Sequence, residues 1–143
     1  MKVLFMCLTN STRSQMAEAW ANHLFKGRME ARSAGQKLKD VHPLTVEAMK
    51  KVGIDISKAF SKNALRMPPN FHAKLEFLIT IGVEDIVPVF LAKAKRLSWE
   101  ISDPAEVVGT EDEKLAAFEK CRDEIRKRVE EFGRLNSFMV GAN

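Results

Sequence analysis

The feature that most constrains the fold is a short apolar run near the start of the chain, followed at once by polar residues. Val3 to Met6 are all apolar, which is typical of a strand buried on both faces of a parallel sheet. Residues 9–13 are polar, and apolar residues then recur at helical spacing from Met16 to Leu24. A buried strand, a polar loop and a helix that opens at Ser14 predict the first unit of an alternating α/β fold.

The rest of the chain continues this alternation. We predict further strands over Glu30–Ser33, Phe77–Ile81 and Leu97–Ile101. A helix with Pro43 in its first turn should run to Gly53. The order of these elements predicts an α/β sandwich with a parallel sheet and right-handed crossovers, in which a ligand site lies at the carboxyl ends of the strands.

The last helix is predicted from its cap and from its apolar stripe. Thr110 and Glu113 have the spacing of a capping box. The stripe residues lie three or four positions apart and are Leu115, Phe118, Cys121, Ile125, Val129 and Phe132. We expect residues 1–135 to form a single domain and residues 136–143 to form a frayed C-terminal tail.

The composition limits the classes of protein to which the chain can belong. A length of 143 residues with 45% hydrophobic and 29% charged residues is ordinary for one soluble domain. No apolar run is long enough to span a bilayer, and the first residues lack the cleavage pattern of a signal peptide, so we expect a cytoplasmic protein with no membrane partner. The net charge of +4 is scattered and the chain has no Tyr, which argues against a nucleic-acid partner and suits a small anionic substrate.

Two cysteines are present, and they differ in their surroundings along the chain. Neither belongs to a CxxC pair, so we predict no zinc site and no other metal centre. Cys121 lies on the apolar stripe of the last helix and is expected to be a core residue. Cys7 follows the first strand and is therefore the candidate reactive thiol.

Cys7 begins a loop that has the residue types needed to bind a tetrahedral anion. A Cys, five residues and then an Arg at a strand-to-helix turn allow successive backbone N–H groups to form an anion-binding nest. Arg13 can bind two anion oxygens with its planar guanidinium, Ser14 can donate to the sulfur, and Asn10 tolerates left-handed dihedral angles. The predicted oxyanion-binding residues are Leu8, Thr9, Asn10, Ser11, Thr12, Arg13 and Ser14. The alternative is a buried cysteine followed by a helix-capping run.

The segment CLTNSTRSQMAE, Cys7–Glu18, resembles the phosphate loop of the low-molecular-weight protein tyrosine phosphatases. It is more similar to that of the related arsenate reductases, which share the fold. The similarity continues along nearly the whole chain, through Ser33–Gly35, His42–Ser57, Pro88–Phe90, Trp99–Ala105 and Gly109–Arg126.

The resemblance implies a fold and a set of roles. The fold is a three-layer α/β sandwich with a four-stranded parallel sheet, that is, low-molecular-weight phosphatase-like. Cys7 would be the nucleophile, Arg13 and the loop amides would bind the oxyanion, and Asp103 would be the general acid. Taken without the resemblance, Asp103-Pro104 is more simply a turn.

The chain departs from the family pattern at positions that bear on function. Thr9 replaces the usual loop glycine. The segment Ile81–Pro88 has none of the additional cysteines of thioredoxin-linked arsenate reductases, which predicts that a thiol from outside the chain is required. Ala105 follows Asp-Pro where the phosphatases usually carry an aromatic residue, which favours a small oxyanion over a phosphotyrosyl protein.

A further departure concerns the potassium ion that some relatives bind beside the loop. Asn10, Glu18 and Ser33 match three of the ligand positions, but Lys62 occupies the fourth. We therefore predict that the Lys62 ammonium takes the place of the ion.

Three functions are compatible with these residues. The first is an arsenate reductase in which the Cys7 thiolate attacks arsenate and an external thiol (glutathione, mycothiol or a redoxin) completes the reduction, without another cofactor. The second is a phosphatase that hydrolyses phosphomonoesters, among them phosphotyrosine, through a Cys7 phosphocysteine. The third is a non-catalytic oxyanion-binding domain. The whole-chain similarity and Ala105 favour the first.

Overall fold

The computed structural model describes residues 1–82, 91 and 93–136. Its strands and helices, in chain order, are β1 (Lys2–Met6), α1 (Arg13–Leu24), β2 (Glu30–Ala34), α2 (Pro43–Lys50), α3 (Pro69–Ala73), β3 (Leu75–Ile81), β4 (Lys95–Trp99) and α4 (Glu111–Leu135). Two short 3-10 helices, Ala64–Arg66 and Pro104–Glu106, lie in the connections.

The four strands form one parallel sheet in the order β2-β1-β3-β4, which confirms the predicted fold class. β1 lies inside the sheet, and its Val3–Met6 segment is almost completely buried, as the apolar run predicted. β2, the next strand along the chain, pairs with one edge of β1, whereas β3 pairs with the other edge of β1. The carboxyl end of β1 therefore lies at the topological switch point, where α/β sheets bind their ligands.

Alternate residues of β1 face two separate apolar layers. Val3 and Phe5 belong to the core that the sheet forms with α1, α2 and α4. Leu4 and Met6 belong to a smaller core on the opposite face, which includes Phe71 of α3. The molecule is therefore a three-layer sandwich, with period-two alternation along a strand whose two faces are both buried.

The boundaries of some elements differ from the sequence-based predictions. The last strand covers Lys95–Trp99 rather than Leu97–Ile101, because the parallel register pairs it with Phe77–Ile81 and ends at Trp99. α3 begins at Pro69, because the N–H that proline lacks at a first helical position would make no intrahelical bond. α1 begins at Arg13, one residue earlier than predicted.

α4 begins as the sequence predicts. The Thr110 Oγ1 accepts a hydrogen bond from the Glu113 N–H at 3.1 Å, and the Glu113 carboxylate accepts one from the Thr110 N–H at 3.1 Å. Its stripe is buried, apart from the half-buried Leu115. At the other end, Asn136 donates from its backbone N–H and its side chain to the Phe132 carbonyl.

Some predictions concern residues outside those that the structure describes. They are the tail from residue 137 onwards, the Ile81–Pro88 segment beyond Gly82, and the Pro88–Phe90 similarity. Within residues 1–82, 91 and 93–136, no helix is both long enough and apolar enough to cross a membrane.

Candidate active site

Cys7 is held at the end of the central strand. Its backbone N–H donates to the Ala34 carbonyl at 3.2 Å, which continues the pairing of β1 with β2 by one residue. The side chain is only 2% exposed. The loop then runs to Thr12, whose side chain makes no capping hydrogen bond to α1. The N–H groups at this helix end are therefore not blocked by a Thr12 cap, and the helix dipole adds positive potential beside the thiol.

Asn10 organises the interior of the loop. Its φ of 52° is the left-handed conformation that the sequence predicts, and its side chain is completely buried. The Asn10 Oδ1 accepts a hydrogen bond from the Lys62 backbone N–H at 2.8 Å, and the Asn10 Nδ2 donates to the Ser14 Oγ at 2.7 Å. The Ser14 Oγ lies 2.8 Å from the Cys7 Sγ.

These contacts fix the orientation of the Asn10 amide. A backbone N–H can only donate, so the Asn10 atom facing Lys62 is the oxygen and the atom facing Ser14 is the amide nitrogen. That nitrogen donates to the Ser14 hydroxyl, whose own proton stays available for the Cys7 sulfur 2.8 Å away. The loop thus places a hydrogen-bond donor within reach of a nucleophilic sulfur.

Arg13 connects the loop to the segment that follows β4. Its Nη1 donates to the Ile101 carbonyl at 2.9 Å, and its Nη2 lies 3.8 Å from the Asp103 Oδ2. The Asp103 Oδ1 accepts a hydrogen bond from the Ala105 N–H at 3.0 Å, so Asp103-Pro104 is also the turn that its sequence suggests. The fold thus brings the candidate acid beside the candidate anion ligand from about 90 residues away.

Two polar side chains that sequence reasoning missed support the loop from outside. The Gln15 Nε2 donates to the backbone and side-chain oxygens of Asn10 and to the Phe60 carbonyl. The Ser61 Oγ donates to the Asn10 carbonyl at 2.9 Å. Neither residue has a spacing or a neighbour in the sequence that would indicate such a contact.

Two further residues shape the same loop. The Thr45 Oγ1 donates to the Ser11 carbonyl at 3.2 Å and lies within hydrogen-bond distance of the Thr12 Oγ1 at 3.0 Å. Gly35 allows β2 to approach closely, since a Cβ there would lie 2.8 Å from the Asn10 backbone nitrogen. The position of Gly35 directly after a predicted strand was the available signal for this contact.

The Lys62 ammonium lies beside two of the side chains that match the potassium ligands of some relatives, Glu18 and Ser33. The Lys62 Nζ is 3.4 Å from the Glu18 Oε1, and the same distance separates it from the Ser33 Oγ. The Ser33 Oγ also donates to the Glu18 carboxylate at 2.8 Å. Asn10 reaches the Lys62 backbone rather than the ammonium. Among the residues described, no group of three or more His, Cys, Asp and Glu side chains is arranged to hold a metal ion.

Replacing Lys62 with methionine is expected to create a requirement for a monovalent cation. The variant removes the ammonium but keeps the apolar stem, which leaves the Glu18 carboxylate with Ser33 and without a positive charge beside it, at a cost of about 1–2 kcal/mol. We expect a lower melting temperature that potassium restores better than tetramethylammonium at the same ionic strength.

The matched control is Lys51→Met, which removes an exposed ion pair to Glu119 at 3.3 Å. It should change stability by less than about 1 kcal/mol and show no preference among cations. Potassium-specific stabilisation of the wild-type protein would contradict the assignment to Lys62.

The second cysteine is a buried thiol of low reactivity. Cys121 is buried in the core between α4 and the sheet, as predicted. Burial raises the pKa of its thiol to about 12, against the opposing effect of the Arg13 charge. It therefore remains a protonated thiol at neutral pH, and both cysteines are free.

Comparison with known proteins agrees with this architecture. The family model described as low molecular weight phosphotyrosine protein phosphatase matches residues 2–137. The arsenate reductase of Bacillus subtilis is 39% identical over 130 residues, which cover 91% of this chain and 93% of that protein. Among solved structures, an arsenate reductase in its phosphate-binding state is 30% identical with a TM-score of 0.78, covering 92% of this chain and 95% of that one.

A second similar structure carries a more specific description. It is a thioredoxin-dependent arsenate reductase of Corynebacterium glutamicum, 28% identical with a TM-score of 0.72. The match covers 95% of this chain but 61% of that one. With a family model matched over residues 2–137 and curated relatives above 30% identity over nine-tenths of its length, the chain belongs to the low molecular weight phosphotyrosine protein phosphatase family of enzymes.

Proposed function

We propose that this protein is an arsenate reductase in which Cys7 attacks arsenate and a thiol from outside the chain completes the reduction. The observation that carries the proposal is the hydrogen-bond chain from the Lys62 N–H through Asn10 and Ser14 to the Cys7 sulfur. It places the Ser14 hydroxyl 2.8 Å from the sulfur, in a loop that leads into the N-terminus of α1 at Arg13, and such surroundings suit a nucleophilic cysteine. The names of the curated relatives support arsenate as the substrate.

In the first step, the Cys7 thiolate attacks arsenic. A sulfur–arsenic bond forms and one arsenic–oxygen bond breaks, and the leaving oxygen departs as water with a proton from Asp103. Arg13 and the loop N–H groups hold the remaining oxygens. The anion also engages the guanidinium that Asp103 faces at 3.8 Å, so the acid lies beside the bound oxyanion.

In the second step, an external thiolate attacks the Cys7 sulfur of the adduct. A mixed disulfide forms, and the electron pair of the sulfur–arsenic bond passes to arsenic, which leaves as arsenite. A second thiol then attacks the mixed disulfide and restores the Cys7 thiolate. Two thiols are oxidised to one disulfide for each arsenate reduced, so the electrons balance.

The electrons must come from outside because of the state of Cys121. This second cysteine of the chain is 4% exposed, with a thiol that stays protonated at neutral pH. A redoxin carries both thiols that the cycle needs, and the description of the Corynebacterium glutamicum protein supports this class of donor. Glutathione and mycothiol are the small-molecule thiols that could serve instead. The chemistry requires free thiols, as in the reducing cytoplasm.

The second candidate is hydrolysis of phosphomonoesters. It requires Cys7, Arg13 and Asp103 with water in place of the external thiol, and it has no need of a second reactive cysteine. Two observations support it: the chain belongs to a phosphatase family, and its Cys121 thiol is buried.

One comparison separates these functions. Arsenite release is measured with glutathione, mycothiol and a redoxin system, and aryl-phosphate hydrolysis is measured in parallel. We expect arsenite release with at least one donor. Aryl-phosphate hydrolysis without arsenite release from any donor would identify a phosphatase, and phosphate binding without either reaction would identify a non-catalytic domain.

Replacing Asp103 with asparagine is expected to lower kcat by roughly 10²-fold, because the leaving oxygen loses its proton donor. KM for arsenate should not rise, since the change removes a negative charge beside Arg13. Steady-state kinetics of arsenate-dependent thiol oxidation provide the measurement. The control is Glu106→Gln, an exposed acid in the same turn. An unchanged kcat in the Asp103 variant would exclude it as the acid.

A further inference from the structure

Gly82 lies directly after β3 and against the guanidinium of Arg13. Its φ is +64°, and a Cβ at this position would overlap the Arg13 Nη1. The same Cβ would lie 3.4 Å from the Arg13 Cζ and 3.8 Å from the Ile101 carbonyl oxygen. The volume that a side chain would need at Gly82 is thus already occupied by the tip of Arg13.

Hydrogen bonds hold the backbone on both sides of this contact. The Gly82 N–H donates to the Trp99 carbonyl at 3.2 Å, which extends the β3–β4 ladder by one bond. Ile101, two residues after Trp99, accepts the 2.9 Å hydrogen bond from the Arg13 Nη1. Two adjacent strand ends therefore form the walls of a slot for the guanidinium, and Arg13 is only 9% exposed within it.

We propose that Gly82 is a positioning residue, whose missing side chain reserves the slot in which Arg13 is held for oxyanion binding. With Nη1 committed to Ile101, the Nη2 side of the guanidinium faces Asp103 and is left for the oxyanion. A side chain at residue 82 would expel Nη1 from the slot and turn this binding edge away from the loop. The inference rests on the proposed role of Arg13 as the oxyanion ligand.

Two features favour glycine at residue 82, namely its positive φ and the contact that a Cβ would make with Arg13. A control must separate them. Gly53 has a φ of +81°, but a Cβ there would meet nothing within 4 Å. Alanine at residue 53 is therefore expected to strain the backbone without meeting another atom. Alanine at residue 82 is expected to strain the backbone and also to overlap Arg13. At Gly82 the obstructing atom is the end of a side chain, so Arg13 rather than the sheet is expected to move.

The test compares Gly82→Ala with Gly53→Ala by thermal unfolding and by calorimetric titration with inorganic phosphate. Both variants should lose stability from backbone strain, and Gly82→Ala should lose more because it also meets Arg13. Gly82→Ala should weaken phosphate binding about 10-fold or more, while Gly53→Ala stays within about twofold of the wild type. In turnover, Gly82→Ala should raise KM for arsenate more than it lowers kcat. Gly82→Asn is the second variant, because Asn tolerates a positive φ but still carries a Cβ.

Coupling to Arg13 completes the test. Lysine at position 13 has no Nη1, so Gly82→Ala should have little further effect in an Arg13→Lys background. Wild-type phosphate affinity in both Gly82 variants, an equal loss in Gly53→Ala, or additive effects of the two substitutions would overturn the inference. The phosphate titration needs no electron donor. A wild-type protein that binds phosphate but releases no arsenite would therefore refute the reductase and leave this inference standing.

Discussion

Replacing Cys7 with serine is expected to abolish turnover, with a loss on the order of 10⁴-fold or more. A serine hydroxyl is not ionised at neutral pH and needs a base to become a nucleophile. The neighbour at 2.8 Å, Ser14, is itself a hydroxyl and receives a hydrogen bond from Asn10. A neutral hydroxyl is not a base that could take the proton of the new serine, so Ser14 gives the variant no route to an alkoxide.

The binding of phosphate should survive this substitution, because Arg13 and the loop backbone are unchanged. Single-turnover formation of arsenite and phosphate titration provide the two measurements. Cys121→Ala is the matched control and should keep nearly all of the activity, since that thiol is buried and protonated. A loss in Cys121→Ala as large as that in Cys7→Ser would contradict the external-thiol cycle.

Replacing Arg13 with lysine is expected to weaken phosphate and arsenate binding by roughly 10²-fold, or about 3 kcal/mol. The guanidinium uses one nitrogen for the Ile101 carbonyl and keeps another beside Asp103. A lysine ammonium is a single point of charge, so it cannot keep the carbonyl bond and also present a planar pair of donors to the anion.

Arg122→Lys is the control for this second substitution. Arg122 is also 9% exposed and also donates to a backbone carbonyl, that of Ala48 at 3.0 Å, but it lies on α4. Its replacement should cost about 1–3 kcal/mol of unfolding free energy and leave phosphate affinity unchanged. Retained affinity in Arg13→Lys, measured by the same titration, would remove Arg13 from the anion site.

Much of the fold could be predicted because the relevant signals are local. The apolar run at Val3–Met6, the Pro43 helix start and the Thr110–Glu113 capping box each depend on residues within one turn or strand. Strand ends were harder to predict. β4 stops at Trp99 because its partner β3 ends opposite it. No property of Ile101 itself indicates that its carbonyl accepts a hydrogen bond from Arg13.

The sequence by itself determined the order of strands and helices, the Cys7-to-Arg13 loop and the left-handed turn at Asn10, because steric and periodic preferences are encoded within a few residues. Only the tertiary structure decided how the loop is held. The Lys62 N–H that orients Asn10, the carboxylate that meets the Lys62 ammonium and the slot beside Gly82 all join residues distant in sequence. Such contacts are fixed by parallel strand pairing, which brings the carboxyl ends of separate strands to one edge of the sheet.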